Sequence, residues 1–154
     1  MGKRQQVLIQ CGDHFENQCR VSLLTLALQQ LGHEPIVLLY SRGHGDIFRR
    51  LGVRTVFLQD YLRRSAKTRR INNRSPIVQG ISTQDLIAVE GRRRPRITWP
   101  GQQEKTRLDA QRYLKAINRL LDEIQPQRVA IWNGYTGYAA NALRLLSSSR
   151  GLKT

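Results

Sequence analysis

A chain of 154 residues matches the roughly 100–200 residues of one domain, so a single core is expected. Leaving out Tyr and counting Gly brings the apolar share to about 45%, the range of ordinary globular domains, which excludes wholesale disorder. The net charge of +15 favours polyanionic partners such as nucleic acid, anionic lipid or sugar phosphate, without choosing among them. Of the 26 basic residues, 21 are Arg. Two-toothed anion binding produces that bias, and so does a G+C-rich coding sequence.

The longest apolar run, Ile36 to Tyr40, is far short of the ~20 residues that span a bilayer, and no transmembrane helix is expected. The apolar run after Gln6 is too short for a secretory core of about 7–15 residues, and Gln6 itself departs from the myristoylation pattern. The chain is therefore expected to start in the cytoplasm. Cys11 and Cys19 cannot make a disulfide framework for a domain of this size, and reduced thiols are the default.

In chain order, Val7-Leu8-Ile9 reads as a buried strand over 7–10 that opens into a polar loop. From Arg20 to Leu31, Val21, Leu24, Leu28 and Leu31 recur at helical spacing, and Leu23, Leu26 and Ala27 broaden that stripe. Gly32 supplies a left-handed cap. A strand covered on both faces is expected at 36–40, because Ile36 to Tyr40 is apolar throughout. A short helix from Gly45 to Leu51 closes on Gly52 and leads to a third strand at 53–58. Right-handed crossovers place these strands in the order three, two, one.

Between Leu62 and Arg107 the pattern breaks. Twelve basic residues face three acidic ones there, a net of +9. With Pro76, Pro95 and Pro100 and one compact apolar run, Leu86 to Val89, residues 62–105 read as an inserted basic loop or lid carrying a short strand. Thr106 and Asp109 then resemble a capping box, and Ala110, Tyr113, Leu114, Ile117, Leu120, Leu121 and Ile124 follow at helical spacing up to Pro126. A fourth strand at 129–132, a turn at 133–137 and a helix from Tyr138 to Ser149 complete the pattern. Leu152-Lys153-Thr154 reads as the approach to a further strand. The fold class is a three-layer α/β domain with a mainly parallel sheet in the order 3-2-1-4.

Ligands of such sheets bind beyond the carboxyl ends of the strands where the order reverses, between strands one and four. Two polar loops meet there, Cys11 to Cys19 and Trp132 to Gly137, and each precedes a helix N-terminus that favours an anion. Gly12 and Gly134 also read simply as residues that permit tight turns. His14 is the residue type suited to proton transfer near neutral pH, and Asp13 or Glu16 could orient it as a general base; a solvated loop histidine is the plainer reading. Cys11, His14 and Cys19 have a zinc-like spacing, but a structural site needs four ligands and no fourth stands nearby, so no metal is expected. Neither glycine fingerprint of dinucleotide or ATP sites occurs. The Arg-rich stretch could bind nucleic acid, yet its one aromatic residue is Trp99, where single-strand platforms use several. Anionic lipid contact through Arg92, Arg93, Arg94 and Arg96 is the other reading, beside a solvated loop.

A first strand ending in Gly12-Asp13-His14-Phe15-Glu16-Asn17, a helix closing on Leu31-Gly32-His33-Glu34-Pro35, and Trp132-Asn133-Gly134 after a later strand together resemble the N-terminal half of bacterial two-domain (GT-B type) glycosyltransferases. The likeness is to the retaining Kdo transferases of capsule and lipopolysaccharide assembly, over Val7–Leu58 and Arg107–Thr154. The resemblance implies a Rossmann-like acceptor-side domain. His14, Asp13 and Glu16 would do its chemistry, with Gly12, Asn17, Trp132, Asn133, Gly134 and Tyr135 binding a sugar or glycolipid acceptor. It also implies a donor-binding C-terminal domain holding a nucleotide sugar such as CMP-Kdo, without which catalysis is not expected. A peripheral position at the inner membrane would follow. The rival class is a non-catalytic nucleic-acid-binding module that uses the Arg-rich loop.

Overall fold

The computed structural model describes residues 4–67, 77–92, 95–132 and 137–154. Its centre is a four-stranded, all-parallel sheet of β1 (Gln6–Gln10), β2 (Glu34–Leu39), β3 (Arg54–Phe57) and β6 (Arg128–Ile131) in the order β3-β2-β1-β6. The expected strands and their 3-2-1-4 order are therefore present. Successive side chains of a strand point to opposite faces. Leu8, Ile36 and Leu38 consequently enter one core layer, while Val7, Ile9, Val37 and Leu39 enter the other. Both layers are apolar because helices cover both faces of a parallel sheet.

On the second face lie α1 (Phe15–Gln30) and the short α2 (Asp46–Arg50), which inserts the fully buried Phe48. The first face carries α3 (Leu58–Lys67), α4 (Thr83–Gly91), α5 (Gln103–Ile124) and α6 (Tyr138–Ser149). Gly32 and Gly52 follow α1 and α2 with φ of +79° and +66°, the left-handed conformation expected there. Lys153 adds a parallel bridge beside Arg128, and Val129 N–H donates to its carbonyl at 3.0 Å. Residue Lys153 thus stands against the outer edge of β6.

Three expectations need correction. The first helix begins at Phe15, not Arg20, because His14 takes the extended cap conformation and no helix breaker follows it. Its buried face is Gln18, Val21, Ser22 and Thr25, while Leu23 is 69% and Leu31 72% exposed. Counting every leucine overstated the stripe.

The apolar run Leu86 to Val89 is not a strand. It lies in α4, nucleated by a capping box in which Ser82 Oγ accepts from Asp85 N–H and Asp85 accepts from Ser82 N–H at 2.7 Å. Thr83, Leu86 and Glu90 are the buried side of this helix. In front of it stands a two-stranded hairpin, β4 (Ile77–Val78) with β5 (Ile81–Ser82). The described part of 62–105 is thus largely helical and packed, with Glu90 buried and accepting from Asn141 Nδ2 of α6 at 2.6 Å.

Thr106 is not the cap of α5, which starts at Gln103; its Oγ1 donates instead to the Ile97 carbonyl at 2.8 Å. That bond fastens the 3-10 helix Pro95–Thr98 to α5. No described helix is long and apolar enough to cross a membrane.

Candidate functional site

At the carboxyl ends of β1 and β2, beside the start of α6, a cavity of about 260 Å³ is lined by Gln10, Cys11, Gly12, Asp13, His14, Leu38, Leu39, Tyr40, Leu58 and Ala139. It lies at the carboxyl end of the sheet, where ligands of such folds bind, but on the β2 side of β1 and not between β1 and β6. Larger hollows lie elsewhere, one of about 510 Å³ between α4 and α5. The smaller one is the site to consider, because strand ends and loops converge on it.

Two contacts fix the loop after β1. Gln18 Nε2 donates to the Asp13 carbonyl at 2.8 Å, bracing the turn from within α1. Trp132 Nε1 donates to Asn17 Oδ1 at 3.2 Å across 115 residues of sequence. The expected meeting of the first and fourth strand ends therefore occurs through Asn17 and Trp132. Gly12 leaves room for Asn17: a Cβ there would sit 2.8 Å from Asn17 Nδ2 and push that side chain aside.

Asp13 and His14 line the cavity, but they do not work as a pair. Asp13 Oδ1 accepts from Tyr40 N–H at 3.0 Å, and Oδ2 lies 3.4 Å from His44 Nδ1. Ser41 Oγ lies 2.9 Å from the same ring nitrogen. Asp13 thus ties the loop after β1 to the loop after β2 and serves His44, not His14. The His14 ring has no hydrogen-bond partner among the described residues and caps nothing. Glu16 faces away on α1, exposed and paired with Arg20, so it orients neither histidine.

Cys11 is buried, and burial, with the Asp13 charge adding to it, pushes the thiol up to about 12. A thiol held neutral is a poor nucleophile near neutral pH. Asn133, Gly134 and Tyr135 lie outside the described residues, as do Arg93 and Arg94. Arg92 and Arg96 are exposed, and Arg96 stacks 5.6 Å from the ring of Trp99, which is 54% exposed.

The sequence reading missed Gln10, Tyr40 and His44. The Tyr113 hydroxyl is pushed up to about 12, first by burial and then by the neighbouring Tyr40. Tyr113 in turn packs on Tyr138 with centroids 5.6 Å apart. His44 stands between Gly43 and Gly45 in the loop after the second strand. The rule that places ligands beyond strand ends covers that loop too.

The structure is similar to that of SsfS6, a glycosyltransferase from Streptomyces sp. SF2575, with a TM-score of 0.49 and 15% identity over 97% of this chain. The chain spans 38% of the length of that protein. No protein-family model matches the sequence, and no curated protein matches it.

Proposed function

We propose that this chain is the acceptor-side domain of a glycosyltransferase, holding a hydroxyl-rich acceptor in the crevice beyond β1 and β2. The observation that carries this reading is the two-sided cavity at the carboxyl ends of β1 and β2, whose polar side is Gln10, Asp13 and His14 and whose apolar side is Leu38, Leu39 and Leu58. A sugar has the same two-sided character, with C–H faces and a hydroxyl rim.

In the proposed reaction the acceptor hydroxyl gives its proton to the unpartnered His14 ring. The hydroxyl oxygen forms a bond to the anomeric carbon of a nucleotide sugar, and the electron pair of the breaking anomeric C–O bond leaves on the nucleotide phosphate. Asp13 acts indirectly, by fixing the two loops that frame the crevice. The donor, with CMP-Kdo as the reading the sequence resemblance favours, belongs to a partner domain. Arg92, Arg96 and the exposed Trp99 form an amphipathic patch suited to an anionic leaflet, where an indole sits at the headgroup level and nearby cations add attraction.

The test is a titration of the 15N-labelled chain with three probes: a methyl glycoside, CMP-Kdo and a single-stranded oligonucleotide. The proposal expects the glycoside to shift the amides of Gly12, Asp13, His14 and Tyr40 while CMP-Kdo leaves them in place. Shifts confined to residues 92–107 with the oligonucleotide, or crevice shifts with CMP-Kdo alone, would overturn it.

A further inference from the structure

Gln10 is the last residue of β1, and its side chain lines the crevice. Its Oε1 is buried yet accepts no hydrogen bond. The neighbouring polar atoms do not compensate. The Asp13 carboxylate can only accept, and the Cys11 thiol, a donor beside it, is engaged with the Gly12 carbonyl at 3.2 Å. A buried acceptor left without a donor is costly, and such atoms in native proteins call for an explanation, often a ligand or an ordered water. Its place beside the apolar Leu38, Leu39 and Leu58 narrows the choice. An acceptor at the edge of an apolar wall fits a donor carried on a ring that can lie against that wall.

We infer that Gln10 is the specificity-determining residue of the crevice: its Oε1 accepts from one hydroxyl of the bound saccharide. This rests on the acceptor-domain reading and sharpens it to a choice between a hydroxylated ring and its deoxy counterpart. A site that leaves a buried polar group unpaired when the hydroxyl is absent discriminates strongly against the analogue lacking it. His14 handles the reacting hydroxyl, whereas Gln10 reads a different one.

The experiment titrates the 15N-labelled chain with methyl β-galactoside, methyl β-glucoside and methyl α-mannoside, and with the monodeoxy analogues of whichever binds tightest. One deoxy analogue is expected to bind about five- to tenfold more weakly than its parent, the scale of one hydrogen bond. In Gln10→Met the parent should fall to that weaker affinity, and the deoxy analogue should bind both proteins equally. Gln10→Glu, which keeps an acceptor oxygen, should retain the discrimination, and dispersed amide spectra of both variants check their folding. If Gln10→Met binds the parent as tightly as the unaltered chain, the inference falls while the acceptor-domain reading stands. If no glycoside shifts the crevice amides, both fall.

Discussion

Replacing Gly12 by Ala tests the contact that closes the switch point. The added Cβ would lie 2.8 Å from Asn17 Nδ2, and the next atoms, at 3.7 and 3.9 Å, also belong to Asn17. Gly12 is not among the residues with positive φ, so alanine meets no backbone strain there. The whole cost is therefore that Asn17 must swing away and release Trp132 Nε1, now held at 3.2 Å. One such hydrogen bond contributes about 0.5–1.5 kcal/mol. Against it stands a gain of about 0.4–1 kcal/mol from restricting the unfolded chain. Gly12→Ala alone should thus be near neutral or destabilise by up to about 1 kcal/mol. In an Asn17→Ala background the same change should stabilise by about 0.4–1 kcal/mol, because nothing remains to be displaced. Equilibrium urea unfolding of the four proteins gives the coupling, expected at about 0.5–1.5 kcal/mol. If Gly12→Ala changes stability by the same amount in both backgrounds, within about 0.3 kcal/mol, Asn17 is not the link.

Burial holds Cys11 near 12 against 9.0 for a free thiol, so iodoacetamide at neutral pH should label the half-buried Cys19 and leave Cys11 until the chain unfolds. The same shift makes the unfolded chain the first to lose its proton. Stability should therefore be intact below pH 9 and decline toward pH 12, with Tyr61 and Tyr113 adding above pH 10; Cys11→Ala should flatten the first part of that decline. Leu86→Ala should destabilise by about 2–4 kcal/mol in urea unfolding, since Leu86 is fully buried in α4, and a loss under about 0.5 kcal/mol would contradict that packing. Flotation should recover more protein with phosphatidylglycerol vesicles than with neutral ones at low salt. The excess should shrink in Arg92→Gln/Arg96→Gln and vanish near 1 M salt, where the Debye length is about 3 Å; equal recovery on both vesicle types would exclude the leaflet contact.

The strands were legible because their residues are apolar on both faces, as in Ile36 to Leu39, and the order followed from crossover handedness. The helices of the basic segment were not. Four consecutive apolar residues, Leu86 to Val89, are too few to reveal a helical period, and exposed Arg63 and Arg64 on α3 hide its buried Leu58, Tyr61 and Leu62 behind a charge run. One signal in that segment is readable, Ser82-Thr83-Gln84-Asp85, which has the capping-box spacing and acts as one. The approach of Asn17 to Trp132 followed from topology. The allegiance of Asp13 did not. Its partner His44 lies 31 positions away and meets it only because β1 and β2 are neighbours in register, with Gln10 opposite Leu38.

Photo-crosslinking tests the central claim most directly. A methyl glycoside bearing a small diazirine, irradiated with the intact chain and mapped by mass spectrometry, should label the peptides containing residues 10–19 and 38–44. Excess underivatised glycoside should suppress that labelling, and a disruptive Gly12→Trp replacement should abolish it. Labelling that falls in residues 92–107, or that excess glycoside does not compete, would contradict an acceptor site in the crevice.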